Sequence, residues 1–256
     1  LQERWVEVQA EAKKLLDNGD LEPTAVQKKK AVALLEAFLK ELQEVRILDP
    51  ACGSGNFLYV TLDLLKGLES EVLRRLEDIT GQAQLKLDID QVSPQQFLGI
   101  EINPRAAAIA DLVIWIGYLK WHFKRFGNIP PVEPVLREYK NIECRDAVLA
   151  YDDKEPDIDS ATNKARTRWG GRMMKHPVTG EDVPDPTDQI PIYRYINPRP
   201  PEWPEADYII SNPPFIGNSR MREVLGDGYV ETLRQTYKDV PETIDYVMYW
   251  WHKAAN

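Results

Sequence analysis

The chain has 256 residues, 43% of them hydrophobic and 29% charged, which is ordinary for a globular protein of one large or two small domains. Its net charge of −9 argues mildly against a compact nucleic-acid-binding module, because such modules usually have a basic surface. Two cysteines exclude a disulfide framework or zinc set, and no apolar run approaches the roughly 20 residues of a membrane span, so we expect a cytoplasmic protein with no metal and no membrane partner.

The first part of the chain, residues 1–46, has a helical pattern. Thr24 is a predicted N-cap, and Gln27 three residues later completes a capping box. Leucines and a phenylalanine follow at helical spacing, at positions 34, 35, 38, 39 and 42. We predict an N-terminal helical segment over 1–46 and a catalytic core over 47–256.

From residue 47 onwards, short apolar stretches alternate with amphipathic ones. The pattern predicts helices over 56–79 and 104–127, and strands over 46–49, 96–103, 141–149 and 206–215. Such alternation is typical of an α/β fold with a parallel sheet and crossover helices. Residues 150–205 lack periodicity, and we predict a long irregular insertion there with a hairpin around Thr179–Gly180.

An acid and two glycines follow the first predicted strand, in the stretch DPACGSGNF at 49–57. Ligands of parallel sheets bind beyond the carboxyl ends of the strands, and Gly53 and Gly55 would let the backbone approach a ligand closely. Leu58 stands where a nicotinamide-binding fingerprint has its third glycine, and the lysine of a P-loop is missing. A turn without a ligand is the alternative for such a short motif.

Polar residues at the ends of the other predicted strands favour a ligand site. Glu101 ends the second strand, where its carboxylate is well placed to accept hydrogen bonds from ribose hydroxyls. Asp146 ends the third, and SNPPF at 211–215 ends the fourth. We expect these strand ends to meet at one edge of the sheet.

In this order, DPACGSGNF, GIEINP (99–104), CRDAVL (144–149) and SNPPF resemble the S-adenosylmethionine-dependent DNA adenine-N6 methyltransferases, in particular the gamma-ordered restriction–modification enzymes. The resemblance covers about residues 30–256 and implies a Rossmann-like class I methyltransferase sheet with flanking helices. That sheet has further strands after the fourth. We therefore expect a C-terminally incomplete piece of a longer restriction–modification or phage-defence polypeptide, whose target-recognition region lies in the missing C-terminal part. This piece alone is expected to bind the cofactor weakly and to be inactive in methylation.

The resemblance also implies where S-adenosylmethionine would bind. Asp49 would lie near the ammonium group of its methionine part, Glu101 would bind the ribose hydroxyls, and Ile102 would pack on the adenine ring. Asp146 would accept a hydrogen bond from the exocyclic amine, with the Ala147 amide nearby. The glycine turn would supply backbone contacts from Ala51, Cys52, Gly53 and Gly55.

In the same family the Asn-Pro-Pro-Phe motif is the catalytic loop, which here is Asn212, Pro213, Pro214 and Phe215. The side-chain carbonyl of Asn212 and the backbone carbonyl of Pro213 would accept the N–H bonds of the target amine and localise its lone pair. Phe215 would stack on an adenine flipped out of double-stranded DNA. Direct transfer needs no metal and no covalent intermediate.

Other reactions are weighed against the same motifs. Cytosine-C5 enzymes need a cysteine in a Pro-Cys loop, which neither Cys52 nor Cys144 provides, and cytosine-N4 enzymes usually have serine in place of Asn212. An RNA guanine-N2 or protein glutamine methyltransferase is the main alternative, although its first motif usually differs. A degenerate methyltransferase fold that only binds is a further alternative.

A basic stretch lies within the predicted insertion, between residues 163 and 176. It is interpreted either as a solvated loop or as an arm that contacts DNA phosphates. In the second interpretation the contacts come from Arg166, Arg168, Arg172 and Lys175.

Overall fold

The structure, a computed structural model, describes residues 1–19, 21–81, 92–130 and 141–256. The chain divides into two compact units. The first contains Leu1–Arg145 and Trp203–Asn212, and the second contains Asp146–Glu202 and Pro213–Asn256. The predicted division into 1–46 and 47–256 stays a prediction.

In chain order, the elements of the first unit are the helices and strands α1 (Gln2–Leu16), α2 (Ala25–Glu44), β1 (Ile47–Asp49), α3 (Asn56–Thr80), β2 (Phe97–Glu101), α4 (Pro104–Phe126), β3 (Ile142–Cys144) and the later β10 (Tyr208–Ile209). Thr24 caps α2, and the predicted capping box with Gln27 is confirmed. Among the described residues, no helix has the length and apolar character needed to cross a membrane.

The sheet of the first unit is parallel, in the order β10-β1-β2-β3. Its register pairs Ile47 with Tyr208, and Asp49 with Gly99. The predicted parallel sheet is therefore confirmed, and the carboxyl ends of these strands lie at the same edge. The predicted strands were too long: the third ends at Cys144 and the fourth at Ile209.

The hydrophobic core of the first unit joins its helices to the sheet. Trp5 of α1 stacks on Phe38 of α2, with ring centroids 5.3 Å apart. The buried cluster continues through α3 and α4 into β1 and β2. Each buried leucine contributes about 1.5–3 kcal/mol through removal of apolar surface from water. This packing fixes the strand ends that carry the site.

The second unit contains a long β-arm, which we call the arm (residues 150–199). It consists of three two-stranded antiparallel ladders nested along the chain, formed by β4 (Asp153–Pro156) with β9 (Tyr193–Ile196), β5 (Thr167–Trp169) with β8 (Gln189–Pro191), and β6 (Met173–Lys175) with β7 (Asp182–Pro184). The predicted hairpin around Thr179–Gly180 is confirmed as the tip of the arm. The rest was predicted to be irregular, because short strands with mostly exposed residues show no alternation.

Three helices complete the described part of the second unit: α5 (Asn218–Leu225), α6 (Asp227–Thr236) and α7 (Met248–Ala255). α6 packs against β9 of the arm. Gly228 allows this approach, because a Cβ atom there would lie 1.9 Å from the carbonyl oxygen of Tyr193. The buried aromatic residues Tyr246, Tyr249 and Trp250 surround the start of α7.

Candidate functional site

Asp49 lies at the carboxyl end of β1 with no exposed surface. Its Oδ1 atom accepts hydrogen bonds from the Ala51 N–H at 3.1 Å and from the Ser211 hydroxyl at 2.7 Å. Its Oδ2 atom is buried and has no hydrogen-bond partner among the described residues. Burial raises the pKa of Asp49, and the negative charge of Glu101 adds to this effect. The first unit thus holds a carboxylate with one oxygen ready for a donor or a cation.

The glycine turn wraps around this carboxylate. Gly53 and Gly55 have φ of +54° and +84°, which L side chains rarely adopt. A Cβ at Gly55 would also lie 3.0 Å from the Ala110 backbone of α4. The Gly53 N–H donates to Glu101 Oε2 at 2.9 Å, so the turn is tied to the end of β2.

Glu101 is held at both of its carboxylate oxygens. Besides the Gly53 bond at Oε2, its Oε1 atom accepts from the Asn103 N–H at 2.8 Å. Each oxygen can accept a second hydrogen bond, so the carboxylate is oriented and still able to bind two hydroxyls. The next residue, Ile102, exposes 66% of its surface at the same edge.

Cys52 is a buried residue of the turn. Burial, followed by the charges of Asp49 and Glu101, raises the pKa of its thiol to about 12. The thiol therefore stays protonated near neutral pH and is a poor nucleophile. Its sulfur packs against Gly99, where a Cβ atom would approach it to 2.8 Å.

Asn212 is the last residue of the first unit and is exposed. It follows Ser211, whose hydroxyl donates to Asp49. This hydrogen bond brings the start of the Asn-Pro-Pro-Phe motif to the end of β1. Sequence reasoning missed the role of Ser211, although the residue stands directly before the motif.

Asp146 and Ala147 begin the second unit. Asp146 Oδ1 accepts from the Val148 and Leu149 N–H groups at 2.8 and 3.0 Å, which turns the chain and ends the third strand early. Its Oδ2 atom accepts from the Tyr229 hydroxyl at 2.7 Å. Tyr229 is a second residue that sequence reasoning missed, since it lies 83 positions further along the chain.

The remaining part of the Asn-Pro-Pro-Phe motif also belongs to the second unit. Its proline residues Pro213 and Pro214 lead to Phe215, which exposes 77% of its surface. An aromatic ring this exposed offers a flat apolar face to a ligand.

The four basic residues predicted to contact DNA each face a carboxylate of the second unit. The N···O distances are 2.9–3.6 Å, for Arg166 with Asp157, Arg168 with Asp227, Arg172 with Asp185, and Lys175 with Asp182. The DNA contact of these residues stays a prediction.

In the described part of the chain, no cluster of three or more histidine, cysteine, aspartate or glutamate side chains could hold a metal ion.

A parallel sheet with a buried acid at the end of β1, a glycine turn after it and an acid at the end of β2 is consistent with a methyltransferase-like α/β fold. Residues 23–256 match the family described as MmeI, DNA-methyltransferase domain, and the chain belongs to this family. The predicted resemblance to DNA methyltransferases of restriction–modification systems is confirmed.

Individual relatives agree with the family. The chain is 39% identical over 82 residues to DNA methyltransferase A of Bacillus subtilis (strain 168), a match that spans 32% of this chain and 9% of that protein. A solved structure of the type IIL restriction–modification enzyme MmeI in complex with DNA superposes with a TM-score of 0.57 at 26% identity. It covers 98% of this chain, which spans 26% of the MmeI chain.

Proposed function

We propose that the chain transfers a methyl group from S-adenosylmethionine to the N6 amine of an adenine flipped out of double-stranded DNA, as part of a restriction–modification enzyme. The observation that carries this proposal is the buried, unpartnered Oδ2 atom of Asp49 beside the glycine turn. The family, and a relative solved in complex with DNA, support DNA as the substrate.

The residues of the site fit S-adenosylmethionine. A buried carboxylate without a partner costs free energy until a donor reaches it, and the ammonium group of the methionine part is such a donor. Glu101 presents oriented oxygens for the two ribose hydroxyls, and the exposed Ile102 offers an apolar surface for the adenine ring. We assign the acceptor for the exocyclic amine to Asp146.

When bound, S-adenosylmethionine supplies an electrophilic methyl group on a sulfonium sulfur. The chain's own task is to prepare the nucleophile, because the lone pair of an aromatic amine is delocalised into its ring. We assign the two N–H acceptors to the side-chain carbonyl of Asn212 and the backbone carbonyl of Pro213. With both N–H bonds held, the lone pair would be localised on nitrogen. The nitrogen would then form its new bond to the methyl carbon as the bond between that carbon and sulfur breaks. Its electron pair would stay on sulfur, which leaves as a neutral thioether, and the nitrogen would lose one proton to water.

Phe215 completes the proposed target site. Its exposed ring would stack on the flipped base and replace part of the stacking that the base loses on leaving the duplex. We further propose that the sheet is of the Rossmann-like class I type and is completed by further strands. Another part of the polypeptide would recognise the DNA sequence. The enzyme would act in the cytoplasm.

The binding step is tested by calorimetric titration of S-adenosylmethionine and its demethylated product into this chain. We expect binding, and a loss of about 10- to 100-fold in affinity for Asp49→Asn, because a hydrogen bond to a charged group contributes about 1.5–3 kcal/mol. Asp78→Asn is the matched control, since Asp78 is an exposed acid of α3 whose loss should leave affinity unchanged. Absence of binding by the folded chain would refute the proposal.

The transfer step is tested with tritiated S-adenosylmethionine and the polypeptide in which this chain occurs. We expect label in DNA, recovered as N6-methyladenine after digestion. Asn212→Ala should abolish the label and still bind the cofactor, because Asn212 is assigned to the amine only. Label found only in RNA or in protein glutamine would replace this proposal with the alternative methyltransferase.

A further inference from the structure

Two buried tyrosine hydroxyls of the second unit form a series of hydrogen bonds that ends at Asp146. The Tyr229 hydroxyl lies 2.7 Å from Asp146 Oδ2 and 2.8 Å from the Tyr246 hydroxyl, and both tyrosines are less than 10% exposed. A phenol has a single proton, and Tyr229 donates its proton to the carboxylate. Tyr246 is therefore the donor of the hydrogen bond between the two hydroxyls, and Tyr229 is its acceptor.

This arrangement fixes Asp146 from two sides. Its Oδ1 atom accepts two backbone N–H bonds, from Val148 and Leu149, and its Oδ2 atom accepts the Tyr229 bond. Tyr237, which directly follows α6, donates its hydroxyl to the Val148 carbonyl at 2.7 Å. Oδ2 keeps one further acceptor position, whose direction these bonds determine.

The supporting residue, Tyr246, is itself anchored next to the catalytic motif. Its backbone N–H donates to the carbonyl of Ile216 at 2.9 Å, and Ile216 directly follows Phe215. The neighbouring Asp245 accepts from the Asn218 N–H at 2.8 Å. The hydroxyl of Tyr246 therefore acts from a fixed backbone position.

The chemistry of the two hydroxyls matches a role as neutral donors. Burial raises the pKa of Tyr229 well above its ordinary value, and burial also raises the pKa of Tyr246. Both phenols therefore stay protonated over the working pH range. Phenylalanine would fill the same space among the surrounding rings of Tyr195 and Trp250 without a buried hydroxyl to satisfy.

We infer that Tyr229, supported by Tyr246, is a positioning residue that orients the Asp146 carboxylate toward an N–H donor on the adenine ring of the bound nucleoside. The inference rests on the proposed function, in which Asp146 accepts from the exocyclic amine. Tyr229 acts through Asp146 and is therefore distinct from the residues assigned to contact the cofactor.

The test compares two ligands that differ at the base edge which Asp146 should recognise. S-adenosylhomocysteine has the exocyclic amine, and S-inosylhomocysteine has a carbonyl in its place and a proton on the adjacent N1. Calorimetry on the unaltered chain should give tighter binding of the adenosyl ligand. Tyr229→Phe should lower the affinity for the adenosyl ligand about fivefold, since one hydrogen bond contributes about 1 kcal/mol. It should reduce the ratio of adenosyl to inosyl affinity by a similar factor.

The pairing of the tyrosines is tested by a double-mutant cycle. Tyr246→Phe alone should lower the affinity for the adenosyl ligand about twofold, because it removes only the hydrogen bond that Tyr246 gives to Tyr229. The double variant should bind no worse than Tyr229→Phe, because the effect of Tyr246 passes through the Tyr229 hydroxyl.

Tyr249→Phe is the matched control, because Tyr249 is also buried and its ring packs edge-on against another tyrosine, Tyr237. It should lower the melting temperature about as much as Tyr229→Phe and leave the ligand preference intact. Equal weakening of both ligands by Tyr229→Phe, or an unchanged preference, would overturn the inference. If the unaltered chain binds neither ligand, the proposed function fails first and the inference falls with it.

Discussion

The most informative single residue is Asp49, because its environment is suited to a ligand and costly without one. Two donors hold one carboxylate oxygen, while the other is buried without a partner in the described residues. An unsatisfied buried polar group costs about 1–3 kcal/mol, and a charged one costs more. Asp49 is therefore a position where the needs of binding and of stability conflict.

This conflict predicts that Asp49→Asn stabilises the ligand-free chain at neutral pH by about 1–3 kcal/mol, since a neutral amide is cheaper to bury than a charge. Burial raises the folded-state pKa of Asp49 above 3.8, so its ionisation begins to oppose folding as the pH rises above 3.8, and the full effect is reached above the folded pKa. The gain should shrink as the pH falls below the folded pKa and disappear below 3.8, where the carboxyl is neutral in both states.

Thermal unfolding followed by circular dichroism from neutral pH down to about pH 4 checks this, with pH 4 near the reference aspartate pKa. Asp78→Asn should change the melting temperature little at any pH, because its only described ion pair, with Arg75, is exposed. A gain for Asp49→Asn that stays constant with pH would show that charge is not its cause.

Residues of the site differ in how far the sequence could reveal them. Asp49 and Glu101 could be predicted, because acids at the ends of parallel strands share one edge. Ser211 and Tyr229 could not, since they meet Asp49 and Asp146 across 162 and 83 positions. Such hydrogen bonds depend on tertiary packing, which no local pattern encodes.

At the scale of elements, the contact of α6 with β9 depends on a missing side chain. A Cβ at Gly228 would lie 1.9 Å from the Tyr193 carbonyl oxygen, so the helix or the strand would have to move. Gly228→Ala should destabilise the chain by about 1–3 kcal/mol, as overpacking does. It should also weaken S-adenosylhomocysteine binding, because the neighbouring Tyr229 would shift away from Asp146.

Gly67→Ala is expected to have the opposite effect on stability. Gly67 lies within α3, and an added Cβ would meet no atom of the described residues within 4 Å. This variant should stabilise by about 0.5–1 kcal/mol through helix propensity alone. Chemical denaturation of both variants measures the change in the free energy of unfolding, which should be negative for Gly228→Ala and positive for Gly67→Ala. An unchanged free energy of unfolding for Gly228→Ala would mean that α6 can move away from β9 without cost.

Elements with strong periodicity were predictable, and the arm was not. The amphipathic helices α2 and α3 bury one face, so their hydrophobic spacing shows in the sequence. The strands of the arm have three or four residues each, mostly exposed, and are joined by backbone pairing. Pairing of that kind leaves almost no compositional pattern.

For the whole molecule, charge sets the expectation for DNA binding. The net charge is −9, and the predicted phosphate contacts of the arm already face acids. We predict weak, weakly salt-dependent binding of duplex DNA by this chain. Asp185→Asn should free Arg172, raise the affinity and steepen the slope of log affinity against log salt by about 0.9, the value for one phosphate contact.

Fluorescence anisotropy with a labelled duplex at several salt concentrations measures this slope. Asp78→Asn changes the net charge equally and is the control, because Asp78 belongs to the first unit. An equal effect of the two variants would assign the change to overall charge and remove the arm from the DNA interface.

The tip of the arm has a practical use that follows from its geometry. Val178 exposes 86% of its surface, and the hydrogen bonds at His176 close the hairpin directly beneath it. Exposed hairpin tips tolerate inserted peptides, because no buried contact or ladder bond is lost. A fluorescent reporter attached at Val178 would therefore label the protein without disturbing α6 or the aspartates that carry the proposed chemistry.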